Sequence, residues 1–347
     1  MPHLLPRLAL ATTLLALTTL AHAADGRWCP ALPNVGNKLA ASLASEVNTH
    51  RDDQPRAQPR LHTEGTLPHQ GIYDQSVAAK QDFPRMRNLA LYVRLHAEDG
   101  AALDQLEKLL RAWANLYQPS FNPIDETDFD AYIDAWAISR ERFGMDTQSV
   151  LDNFFRNMAQ GYIAQMRANG GKGTWINNWQ SHRIKLVTLT AVLLDDPAML
   201  AEAKRLFRQQ LQQNLHDDGS VLDYYERDAL HYVTYDLEPL LRAALAARTR
   251  GEDWLRLPTA QGATLASALD WLLPYTRGDI VHQEYLRTTV KFDLERRDAK
   301  LPGFTGAWDP HSARNLYWLA ALLDPRYASI AASLGSPPPW QVACWMS

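Results

Sequence analysis

The sequence predicts an all-α fold, a single α/α toroid of helical hairpins, on three observations. Apolar residues return at the helical period along most of the chain, strict two-residue alternation is almost absent, and no Gly-, Pro- or Ser-rich linker marks a domain boundary. The composition suits one large core: 347 residues, 46% hydrophobic and 21% charged, with 17 Gly and 20 Pro, exclude collagen-like, low-complexity and disordered chains. A formal net charge of -4, from 35 basic and 39 acidic side chains, provides no overall field for nucleic acid or an anionic membrane. Neither is an expected partner, and any polyanion must be gripped locally.

Residues 1–23 read as a secretory signal peptide: Arg7, an apolar run from Leu8 to Leu20, then Ala21-His22-Ala23 as the cleavage site. At about thirteen residues the run is short for a bilayer span. A mature domain over residues 24–347 follows, exported to the periplasm or the medium, with no membrane insertion and a monomeric state expected. Only two cysteines exist, Cys29 and Cys344, one near each mature terminus, and a disulfide tying the ends together is expected in an oxidising compartment. Neither has the spacing of a metal site.

After a Pro-containing lead come helical segments over residues 78–96, 101–117, 129–143, 147–168, 178–194, 197–215, 222–249, 263–276 and 311–333. Asp146 is placed as an N-cap, and Gly170-Gly171 stops the helix it opens. Residues 51–76, 277–305 and 119–127 read as long polar loops, where sites tend to be built.

Two segments carry more polar chemistry than packing requires. In Asn178-Trp179-Gln180-Ser181-His182-Arg183-Ile184-Lys185, the residues Asn178, His182 and Lys185 form one stripe near a helix N-terminus, where an anion is favoured. In the second, Arg227, His231 and Tyr235 fall four apart on one face, with Tyr232 beside them. An amide, imidazoles, a guanidinium and a phenol suit β-elimination on a uronic-acid polymer. Donors on the sugar carboxylate stabilise the enolate-like transition state, a base takes the C5 proton, and an acid protonates the departing O4. Tyr235 serves either task if cations pull its pKa down, with Arg227 and His231 as typed neighbours.

Ile176-Asn177-Asn178, followed by Thr190-Ala191-Val192-Leu193, resembles the Ile-Asn-Asn-His and Thr-Ala-Val-Val segment of the alginate (polymannuronate) lyase family. Asp218-Gly219-Ser220 and the run from Ala229 to Leu240 are similar to that family's second catalytic segment, and a looser likeness covers residues 85–250. The resemblance implies an α/α toroid, no obligatory metal, no cofactor, Asn178 neutralising the substrate carboxylate and Tyr235 as proton donor. Two positions depart from the pattern. Trp179 stands where the family has a His and Asp228 where it has an Arg; His182 and Arg227 are the nearby replacements. The Asn-Asn-Trp-x-Ser-His-Arg version resembles a divergent branch acting on polyuronates such as glucuronan as well as alginate.

Asn178, Arg227 and His182 are therefore expected to hold the carboxylate and Tyr235 to protonate the leaving oxygen. The base is Tyr235, His182 or His231. Trp175 and Trp179 are candidate sugar-stacking faces; Lys185, Tyr232, His69, Tyr73, Asn122 and Lys291 are further candidate contacts, with Arg287 beside Lys291. Two rival readings remain: a toroid glycoside hydrolase drawing paired carboxylates from Asp125, Glu126, Asp223 and Glu226, and a non-catalytic polysaccharide-binding protein. Phosphate loops, nucleophile elbows and zinc spacings are absent from the sequence.

Overall fold

A computed structural model describes residues 28–29 and 36–346; the predicted signal peptide lies outside the described residues. Among the described residues there is no strand, only two isolated bridges. The helices make an α/α toroid. An inner ring is formed by Asp82–Leu95, Phe129–Ser139, Asn178–Leu193, Leu230–Arg248 and Arg314–Leu323, each packed on the next. Gly36–His50, Gly100–Leu116, Met145–Asn169, Pro197–Asn214 and Leu265–Thr276 lie outside them.

Burial explains the two rings. Every residue from Gln180 to Val192 is buried, so this helix meets protein on all sides. The Gly100–Leu116 helix instead buries one stripe, Ala102, Leu106, Leu109, Leu110 and Trp113, as an outer helix does. Side-chain caps set several starts: Asp99 accepts from Ala102 N, Asp196 from Met199 N, and Thr264 with Ser267 forms a capping box.

The expected bridge between Cys29 and Cys344 is present. Trp28 and Trp340, near its two cysteines, meet one buried charged cluster. Asp134, buried on an inner helix, accepts from Trp28 Nε1 (2.9 Å), Arg242 (2.7 Å) and Arg87 (3.2 Å). The Trp340 ring stacks against the same two guanidiniums.

Several boundaries differ from the sequence reading. The 222–249 segment is two helices, Leu222–Arg227 and Leu230–Arg248, because Asp228 takes a left-handed turn (φ +52°) and Ala229 is extended. Asp146 does not cap its helix, which begins at Met145 after Gly144; Asp146 sits in the first turn and meets Arg111 at 2.6 Å. The loop at 277–305 contains the Lys291–Asp298 helix, and the helices Gly36–His50 and Pro339–Trp345 were not anticipated. Segment 311–333 divides after Leu323, where Pro325 disfavours a helical Asp324.

Candidate active site

An open cleft of about 310 Å³ lies at one end of the toroid, walled by the early loop, the Asn178 helix, the Arg227–Tyr235 stretch and the Lys291–Asp298 helix. Asn178, Trp179, Arg227, His231, Tyr232, Tyr235 and Tyr73 all line it, so residues far apart in sequence meet here. His182, Lys185, Trp175, His69, Asn122 and Lys291 do not.

Asn177 caps the Asn178–Leu193 helix by accepting from Trp179 N, which sets Asn178 at the helix start. The expected anion at this N-terminus is internal: Asp223 Oδ2 accepts Asn178 N at 2.7 Å, and its Oδ1 accepts from Asn178 Nδ2. The stripe below Asn178 runs away from the cleft. His182 is buried, with Nδ1 at 3.1 Å from Thr127 Oγ1 and its ring centroid 4.4 Å from that of Tyr235. Pro239 lacks the N–H that would return to the Tyr235 carbonyl. That carbonyl lies beside His182 and favours its charged form, yet Nε2 makes no well-formed hydrogen bond. Burial, then Lys185, dominates and holds the imidazole well below its usual range. A neutral His182 behind Tyr235 cannot neutralise a carboxylate, which corrects the role expected for it. Lys185 is likewise occupied, donating to Thr127 O at 2.7 Å and pairing with Asp130 at 3.2 Å.

Trp175 is covered by Arg183, whose guanidinium lies 3.7 Å from the ring centroid, leaving Trp179 as the tryptophan on the cleft wall. His69 is an exposed partner of Asp74 at 2.7 Å, and Asn122 closes a turn by accepting from Ile124 N. Lys291 points into solvent towards Glu295, and Arg287 is held by Asp228 at 2.8 Å.

Arg227, His231 and Tyr235 reach the cleft although the break at Asp228 separates Arg227 from the other two. Asp228 organises that break, accepting Arg287 N at 2.7 Å through its side chain and Tyr285 N at 2.9 Å through its carbonyl. Arg227 donates to both oxygens of Asp293 (2.7 and 2.8 Å) and stacks on Tyr232 at 3.9 Å. His231 opens onto the cleft but stands among protein atoms; burial, then Arg296 and Arg227, pushes it down to about 4, so it is neutral. Tyr235 is also shifted against expectation. Burial raises its pKa above the ordinary phenol range, with Thr127 opposing and Asp128 adding to the rise. Arg227 is committed to Asp293 and does not pull the phenol down.

Sequence reasoning missed Arg296, Phe292 and Phe304. Arg296 donates to Tyr232 OH at 2.9 Å and lies over the Phe292 and Phe304 rings at 4.1 and 5.1 Å. Its signal was present in the helical spacing of Phe292 and Arg296, within a segment read as loop. The early loop is anchored by buried Asp125, which accepts Thr63 N and Glu64 N at 2.6 and 2.9 Å. Glu126 is buried against Tyr117, Tyr162 and Ser120, while Glu226 is exposed outside the cleft. Glu64 is the one carboxylate among the cleft-lining residues, so the pair that hydrolysis needs is not assembled there.

Glu284 caps the Leu230–Arg248 helix from another part of the chain, accepting Leu230 N at 2.9 Å, and burial raises its pKa to about 7. The folded protein therefore holds this proton above the unfolded value of 4.5, and the resulting stability is full below pH 4.5 and lost as pH rises to about 7. The loss amounts to about 3 kcal/mol. Glu284→Gln keeps the acceptor and removes the titration. Urea unfolding in mildly acidic and mildly alkaline buffer should show the wild type losing more stability than the variant; equal losses would refute this.

Residues 34–281 match the model of the family described as alginate lyase. An alginate lyase from Bacteroides ovatus superposes with a TM-score of 0.64 at 14% identity, covering 91% of this chain and 95% of that one. Alginate lyase A1-III from Sphingomonas species A1 gives 0.63 at 17% identity, covering 90% and 91%. A variant of A1-III complexed with a tetrasaccharide gives 0.56 at 19% identity, covering 71% and 74%. No curated protein matches the chain in sequence.

Proposed function

The chain belongs to the alginate lyase family and is a polysaccharide lyase; from that footing we propose that it cleaves 1,4-linked polyuronates by β-elimination, taking mannuronate units in preference to guluronate. The observation that carries this reading is the pair His231 and Tyr235. They stand one turn apart on one helix, both on the cleft, with rings nearly parallel (9°) and centroids 6.2 Å apart.

His231, neutral and open to the cleft, takes the C5 proton. The C5–H electron pair becomes the C4–C5 double bond, the C4–O4 bond breaks, and Tyr235 protonates O4. A substrate carboxylate entering beside His231 raises its pKa from about 4 and strengthens it as a base. The same negative charge keeps Tyr235 protonated and able to donate. The Asn178 amide and the Arg227 and Arg296 guanidiniums face the substrate carboxylate as it gains enolate character. His182 and Thr127 support Tyr235 from behind.

Base and acid on one helical face reach one side of a sugar ring. In D-mannuronate and D-glucuronate the C5 hydrogen and O4 lie on the same side, whereas in L-guluronate they lie on opposite sides. Tyr73 and Trp179 supply ring faces for the flanking sugars. The disulfide supports an exported, periplasmic or secreted location. Among the described residues no helix is long and apolar enough to cross a membrane.

The test is the far-ultraviolet absorbance of the new double bond when purified protein is incubated separately with polymannuronate, polyguluronate and glucuronan. Absorbance should rise fastest with polymannuronate or glucuronan. Reducing ends without absorbance would establish hydrolysis instead, and no product from any polymer would favour a binding protein.

A further inference from the structure

We propose that Asp223 is the positioning residue of the active site, fixing which edge of the Asn178 amide faces the substrate, and that Asp236 beside it carries a proton so that Asp223 remains a pure acceptor. The inference rests on the lyase reading. Asp223 is fully buried and accepts twice from one residue, from Asn178 N at 2.7 Å and from its side-chain Nδ2. An ionised carboxylate only accepts, so it selects the nitrogen edge of the amide. One Nδ2 hydrogen is then committed to Asp223 and the second remains for the substrate carboxylate. Asn178 Oδ1 is buried with no partner of its own, so nothing else in the fold selects this orientation.

The neighbouring charges explain why a second carboxyl must hold a proton. Asp223 has Arg227 Nε at 3.8 Å, but Arg227 is shared with Asp293, which Arg296 also approaches at 3.8 Å. Asp223 thus shares Arg227 with Asp293, and Glu226 adds further negative potential at Asp223. Asp236 takes its hydrogen bonds from neutral groups whereas Asp223 has Arg227 beside it, so of the adjacent pair Asp236 keeps the proton and Asp223 the charge. Asp236 accepts from Ser181 Oγ (2.6 Å) and Asn214 Nδ2 (3.3 Å) through Oδ1, while its Oδ2 is buried without a partner, so an ionised Asp236 would leave charge on an oxygen that nothing compensates. Burial, reinforced by the charge of Asp223, raises the Asp236 pKa strongly, while at Asp223 the Asn178 hydrogen bonds and the Arg227 charge oppose the effect of burial.

Asparagine mimics a protonated aspartic acid, so the two positions respond differently to the same change. In Asp223→Asn the new amide group meets Asn178 Nδ2 donor to donor, and Asn178 must turn its oxygen edge inward. On the polymer the wild type cleaves, kcat should fall about 10–100-fold with KM within about threefold in protein that remains folded. Asp236→Asn should retain kcat within about threefold. A folded Asp223→Asn enzyme with wild-type kcat overturns the proposal, as does an Asp236→Asn enzyme that folds and loses as much kcat as Asp223→Asn. If Asp223→Asn does not fold, the side-chain amide of Asn178 in the wild type, observed with 15N-asparagine labelling, decides. Two resolved, slowly exchanging protons support the anchor, and rapidly exchanging ones overturn it. A wild type inactive on every polyuronate would bring down the lyase reading instead, and the amide signature would still report on the anchor.

Discussion

Tyr235→Phe is expected to lower kcat about 10³-fold while leaving KM within about threefold. The substitution removes one hydroxyl and keeps the ring, so the packing against His182, with centroids 4.4 Å apart, and against His231 survives. In the proposed mechanism what disappears is the donor to O4, without which the sugar must depart as an alkoxide. Burial holds the phenol above its ordinary range, so Tyr235 remains a donor across the neutral and mildly alkaline region, and no loss of activity from its ionisation should appear below pH 10. Rate measurements by double-bond absorbance check both statements. A variant retaining more than about a tenth of wild-type kcat would remove Tyr235 from the proton-transfer step.

Replacing both cysteines by serine is expected to cost about 4 kcal/mol of stability. The bridge joins residues 315 apart, so reduction frees that whole span to expand when unfolded. It also ties down the segments in which Trp28 and Trp340 meet the Arg87–Asp134–Arg242 cluster. Denaturant unfolding of the Cys29→Ser/Cys344→Ser protein against the oxidised wild type measures the difference. An unchanged midpoint would mean that the folded ends hold each other without the covalent link.

The helical architecture was legible because its signal is local. Apolar spacing along residues 101–117 and 197–215 marks outer helices to within a residue or two of Gly100–Leu116 and Pro197–Asn214. The inner helices show no such stripe, since the Asn178–Leu193 helix is buried all round, and there the polar groups were the informative ones. Periodicity failed where a long-range contact overrides it. The break at Asp228 is held by Arg287, and the cap on the following helix comes from Glu284, both more than fifty residues away.

The sequence by itself determined the fold class, the bridge between the chain ends and the chemical types gathered for elimination, because period, cysteine count and residue identity are properties of the chain. Tertiary structure decided which of those groups line the cleft and what charges surround them. Asn178, His182 and Lys185 share a helical stripe, yet only Asn178 lines the cleft, since Thr127 and Asp130 occupy the others. Arg296 rather than Lys291 or Arg287 became the cleft cation beside Arg227, because one helical turn carries it over the Phe292 and Phe304 rings. The protonation states of His231, Tyr235 and the Asp223–Asp236 pair follow from desolvation and from charges brought close by folding, and neither quantity is encoded in spacing along the chain.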